Sequence, residues 1–161
     1  MSEHATEMQD DEDLVQRWVT FELDRETYCI SVSDVREVLR FTEIAPVPGS
    51  PDYVVGIINL RGNVVTVIDT RKRFGLMPKE VDDSTRIVII DIDGQEVGIL
   101  VDSVAEVVDL RMSAIEAAPN VGNEETSRYI QGVTSRDGQL LIIVDLNKML
   151  SEEELQELNS L

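Results

Sequence analysis

The side chains of this 161-residue chain that could do chemistry are few and poorly placed for it. His4 is the one histidine, and it stands in MSEHATEMQDDED with no second ligand at metal-binding spacing. Without a second histidine, neither a Ser-His-Asp nor a Cys-His arrangement can be assembled. Cys29 is the one cysteine, which excludes an internal disulfide and a multi-cysteine zinc site. It lies in the apolar run YCISV (28–32) with no activating base beside it, so it is expected to be a small buried core residue. The carboxylate pairs Asp82/Asp83 and Asp91/Asp93 lack the Gly and terminal Glu of a calcium loop and read as solvated turns. Gly56 and Gly62 sit between strand patterns rather than ahead of a helix, so no phosphate-binding loop is formed. These residues supply no catalytic set, no metal site and no cofactor site. The chain is expected not to be an enzyme.

The elements that would have to position any site are short. Apolar residues make up 42% of the chain, arranged as Val- and Ile-rich runs such as RIVIIDI (86–92) and EVGILV (96–101). Runs of that length and composition predict strands, and turn signals separate them at Asp24-Arg25, Arg61-Gly62, Asp93-Gly94 and Asp137-Gly138. Residues 1–14 are rich in acids and read as a disordered tail. Ser151, followed three residues later by Glu154, forms a capping box that opens a C-terminal helix over 151–161. The formal charge of −18 repels phosphate backbones and anionic lipid, which disfavours nucleic acid and membrane surfaces as partners. Residues 40–80 differ, with six basic groups against four acidic ones, and could offer a docking face to an acidic partner. No apolar run reaches the roughly 20 residues of a membrane span and no hydrophobic leader is present, so a cytoplasmic location is expected.

The chain also repeats itself. YVVGIINLRGNVVTVIDTRKRF (53–74) lies over YIQGVTSRDGQLLIIVDLNKML (129–150) at a shift of 76. FELDRETYCISVSDVREVL (21–39) lies over IDIDGQEVGILVDSVAEVV (90–108) at a shift of 69. Each copy predicts about five strands, too few residues for a comfortable fold alone, so two five-stranded barrels (15–83 and 84–150) on a shared apolar seam are expected. Within the repeat, Asn59-Leu60-Arg61-Gly62 faces Ser135-Arg136-Asp137-Gly138. The shared Gly suits a tight turn, and only the first copy places an apolar residue and a cation directly before it. That pair is either a packed turn with a surface Arg or an anchor offered to a partner.

Taken together, YCISVSDVREVL, PVPGSPDYVVGIINLRGNVVTVID, GILVDSVAEV and LLIIVDLNKML resemble the bacterial chemotaxis coupling proteins called CheW. The resemblance spans about residues 15–160 as one CheW-like domain and implies an all-β fold of two SH3-like five-stranded barrels. It further implies a scaffold linking the cytoplasmic tips of chemoreceptors to the regulatory domain of the histidine kinase CheA, in arrays on the inner face of the membrane. Self-association into rings, or service in a non-flagellar system that controls surface motility, stays open on the same resemblance. Carried over by position, the receptor-binding residues are Val35, Gly56 and Arg61, with Asn59 and Leu60 presenting Arg61. Val104 and Val107 are expected to line the same groove.

Overall fold

The computed structural model describes residues 14–117 and 126–160. Of the acidic tail expected over 1–14, all but Leu14 lies outside the described residues. Among the described residues ten strands form: β1 (Val15–Leu23), β2 (Glu26–Ser31), β3 (Val35–Arg40), β4 (Val54–Leu60), β5 (Asn63–Asp69), β6 (Arg86–Ile92), β7 (Gln95–Val101), β8 (Ser103–Arg111), β9 (Ile130–Arg136) and β10 (Gln139–Val144). A single helical turn, α1 (Thr70–Arg73), follows β5, and α2 (Glu152–Asn159) closes the chain. The capping box at α2 forms as expected, with Ser151 Oγ accepting from the Glu154 amide and Glu154 accepting from the Ser151 amide.

The strands make two five-stranded sheets, in the orders β8-β1-β2-β10-β9 and β3-β6-β7-β5-β4. The repeat is visible in the registers. β2 pairs parallel to β10 with Tyr28 opposite Ile142, and β7 pairs parallel to β5 with Val97 opposite Thr66. The shifts of 69 and 76 convert one pair into the other. The expected boundary at 83/84, however, does not separate the sheets. Each sheet takes two strands from one copy and three from the other. Because β10 occupies the free edge of β2 and β5 that of β7, β3 and β8 must pair with β6 and β1 instead. The two copies are interleaved.

This topology explains the unbroken apolar runs. β6 sends Ile87 and Ile89 into its own sheet's interior and Val88, Ile90 and Ile92 into the seam, so it is buried on both faces. The interior of the first sheet holds Trp18, Cys29, Val108, Leu110, Leu141 and Ile143. Cys29 is fully buried as expected, and burial pushes its thiol up to about 12. The seam is the largest cluster and draws on both sheets and on Leu155 and Leu158 of α2. Through it run four rings in contact, Phe21–Tyr28–Phe74–Tyr129, at centroid spacings of 5.7, 5.4 and 5.3 Å.

Two arginines of α1 fasten the sheets together. Arg71 grips Asp102, in the one-residue link between β7 and β8, through Nε (2.8 Å) and Nη2 (2.7 Å). The Asp24 amide, in the β1–β2 turn of the other sheet, donates to the same carboxylate at 3.0 Å. Arg73 donates to Glu154 of α2 and lies 4.4 Å from the Tyr53 ring centroid, a cation–π contact. Arg61, Arg71, Arg73 and Lys79 are all ion-paired. The basic stretch at 40–80 is therefore largely neutralised within the fold rather than presented as one cationic face.

Candidate functional site

All four hairpins close on two-residue turns with positive φ at both central positions: Asp24-Arg25, Arg61-Gly62, Asp93-Gly94 and Asp137-Gly138. Aspartate tolerates the first of these positions, whereas a long side chain there costs on the order of 1 kcal/mol. Arg61, at φ 52°, occupies that position without the local side-chain hydrogen bond an aspartate would use. Asn59 makes up part of the deficit, since its Oδ1 accepts from the Gly62 amide at 2.9 Å and holds the turn shut. Gly62, at φ 86°, has open space where a Cβ would be, so its need is for backbone freedom alone.

The Arg61 side chain is 71% exposed and donates through both terminal nitrogens to Glu37 of β3. β3 and β4 are the two outer strands of the second sheet. The ion pair joins β3 to the turn at the end of β4, so the sheet curls far enough to bring its two outer strands within side-chain reach. Mutual pairing lowers the Glu37 carboxyl below the usual range and raises the guanidinium of Arg61. Glu37 lies 24 residues from Arg61, and only the closed sheet brings the two together.

The two copies differ less at this turn than their aligned sequences suggest. In the first sheet, Arg136 of β9 reaches Glu106 of β8 at 3.1 Å, and Glu106 is the repeat partner of Glu37. Arg136 aligns with Leu60, one residue before Arg61, so the shared cross-edge ion pair escaped an ungapped comparison. What belongs to the first copy alone is an arginine inside the turn itself.

The remaining candidates divide by role. Leu60 is half-buried and packs on the second sheet's interior beneath Arg61. Gly56 is buried, and a Cβ there would stand 2.2 Å from the Ala45 carbonyl oxygen. Ala45 is strapped to Ile57 by two backbone hydrogen bonds of 2.9 and 2.8 Å. Gly132 underlies Glu116 in the same way, with the carbonyl oxygen 2.6 Å from its would-be Cβ. Gly56 thus admits the crossing strap. Val35 and Val104 hold equivalent places on β3 and β8, and both pack against the seam from its margin. Val107 is 58% exposed, and its repeat partner Val38 is 40% exposed. They stand opposite the seam residues Val19 and Val88, so each extends the seam face outward from an edge strand. Among the described residues no group of three or more His, Cys, Asp or Glu side chains is arranged to hold a metal ion.

A family model, described as the CheW-like domain, matches residues 17–154. "Chemotaxis protein CheW" of Bacillus subtilis is 37% identical, over 88% of this chain and 90% of the relative. "Chemotaxis protein CheW" of Treponema pallidum is 32% identical, over 89% and 86% respectively. A crystal structure of the scaffolding protein TtCheW from Thermoanaerobacter tengcongensis superposes with a TM-score of 0.79 at 34% identity. That match covers 86% of this chain and 94% of TtCheW. Interleaved repeats, curled sheets and the matched span together place this chain in the CheW-like domain family.

Proposed function

We propose that the chain is a chemotaxis scaffold that couples the cytoplasmic tips of chemoreceptors to the regulatory domain of the histidine kinase CheA. The observation that carries this reading is Arg61, set in a strained turn, capped by Asn59 and aligned by Glu37, with most of its side chain in solvent. Strain retained at an exposed cation serves binding better than folding. On this reading Arg61, Leu60 and Val35 meet the receptor, while Asn59 and Gly56 shape the surface that carries them. Val104 and Val107 extend the contact onto the first sheet. The work is done by surfaces without chemistry, in arrays at the inner face of the membrane.

The test is co-sedimentation of the full chain with receptor-tip fragments, paired with a melting curve for every variant. Arg61→Ala is expected to melt within about 3 °C of the parent, because exposed ion pairs are worth roughly 0–1 kcal/mol. Receptor binding by the same variant is expected to fall at least tenfold. Unchanged binding by Arg61→Ala, or a collapse in its stability, defeats the assignment.

A further inference from the structure

The repeat relates the two margins of the seam, and the two margins are not fastened alike. Both fastening arginines lie on α1, which follows β5. The shift of 76 carries Arg71 and Arg73 onto Asn147 and Met149 after β10, and the shift of 69 carries Asp102 onto Ser33. Where one margin has the nearly buried Arg71–Asp102 pair, the other therefore has Asn147 and Ser33, both exposed. Ser33 Oγ is engaged locally, 2.8 Å from Ser31 Oγ. Packing is uneven in the same sense. The four rings in contact reach α1 through Phe74, whereas the repeat mates of Phe21, Tyr28 and Phe74 are the aliphatic seam residues Ile90, Val97 and Leu150.

Charge widens the difference. Three half-buried carboxylates gather at the unfastened margin: Asp34 from the β2–β3 link, Asp91 from β6 and Asp145 from the end of β10. Asp91 is satisfied within its own sheet, by Arg36 of β3 at 2.6 Å and the Gly94 amide at 2.7 Å. Asp145 belongs to the other sheet, and among the described residues no ion pair joins the sheets here. Burial, then Asp145 and Asp91, work against the charge on Asp34, with Arg36 as the offset. At neutral pH these like charges push the two sheets apart at this margin alone.

The β2–β3 link runs directly into β3, which carries Val35, packed on the seam's margin, and Glu37, which holds Arg61. Resting on the scaffold reading above, we propose that the seam is a one-sided hinge: it stays pinned at Arg71 and parts slightly at the β2–β3 link, uncovering Val35 and moving Glu37, and receptor tips bind the parted setting. A partner shifts such an equilibrium only by binding one setting more tightly than the other. Val35 supplies that difference, because the seam covers part of it when shut.

Paired spin labels on cysteines introduced into the full chain measure the two margins separately, and the fully buried Cys29 stays unlabelled. Glu26→Cys with Lys72→Cys spans the pinned margin, and Gln95→Cys with Lys148→Cys occupies the matched positions at the other. In the free chain the second pair should show a distance distribution about twice as broad as the first, and receptor tips should lengthen the second distance alone. Asn147→Arg with Ser33→Asp supplies the missing fastener. That variant should melt no lower than the parent, narrow the second distribution to match the first, and bind receptor tips about threefold or more weakly. Equal breadth at both margins of the parent chain overturns the hinge. Receptor tips that bind without lengthening the second distance, or that bind the refastened and narrowed variant as tightly as the parent, overturn its control of binding and leave the scaffold reading standing. A parent chain that binds no receptor tips overturns the scaffold reading itself, while the two distributions still decide the hinge.

Discussion

Replacing Asp102 by Asn removes one charge from the fastening between the sheets while keeping the shape of the side chain. The carboxylate is only 14% exposed and Arg71 12%, so water screens the pair little. It accepts two guanidinium hydrogen bonds and the Asp24 amide, all at 3.0 Å or less. Hydrogen bonds to a charged group are worth about 1.5–3 kcal/mol, and Asn retains one acceptor, so a loss of about 2–3 kcal/mol is expected. At roughly 2–4 °C per kcal/mol for a chain of this size, the melting temperature should fall by about 5–10 °C. Burial pushes the Asp102 carboxyl up, but Arg71 and the Asp24 amide outweigh it and hold the group below the ordinary carboxylate range. A carboxyl depressed in the fold stabilises above its unfolded pKa, about 3.9, and the benefit is lost as pH falls through the folded value. The gap between parent and variant should therefore be full at pH 7 and narrower at pH 3, where the unfolded carboxyl is already mostly protonated. Thermal melts followed by far-ultraviolet circular dichroism at both pH values test this, with Trp18 fluorescence as a second probe. The two signals should move together, because the fastening joins both sheets. A gap under 1 °C at pH 7, or one undiminished at pH 3, refutes the reasoning.

Asp34→Asn should act in the opposite direction. Burial, then Asp145 and Asp91, raise this carboxyl against the offsetting Arg36. A raised carboxyl favours the fold only when protonated, so the variant should melt about 1–2 °C higher at pH 7 and alike at pH 3. Gly56→Ala forces the Ala45 strap aside and should cost about 1–3 kcal/mol, measured by denaturant titration, while also weakening receptor binding. Gly132→Ala, under the equivalent strap, should lose similar stability yet leave receptor binding intact; equal losses of binding would count against the Arg61 site.

Much of the fold was legible because the repeat preserves both spacing and apolar pattern. Val64, Val65, Val67 and Ile68 over Leu140, Leu141, Ile143 and Val144 foretold strands with matched registers. Interleaving was not legible, since Val35–Arg40 carries the same pattern whether it pairs with its own copy or with β6. At the site, the turn chemistry of Asn59, Arg61 and Gly62 could be read locally. The Glu37 partner could not, because two outer strands meet only when a sheet curls, and curvature leaves no mark in side-chain periodicity. The close approach over Gly56 was not legible for a similar reason: the strap above it arrives from Ala45, eleven residues earlier.

The interleaved topology says something about how such a chain could arise. One copy of the repeat holds two strands of one sheet and three of the other, so by itself it completes neither. Two separate copies would complete both by exchanging strand pairs, a reciprocal swap in the manner of intertwined homodimers. Joining the genes of such a dimer end to end requires only a linker, and residues 75–85, between α1 and β6, stand where that linker would fall. The same logic works in reverse: a chain cut within 75–85 should hold together as two fragments, each useless until it meets the other.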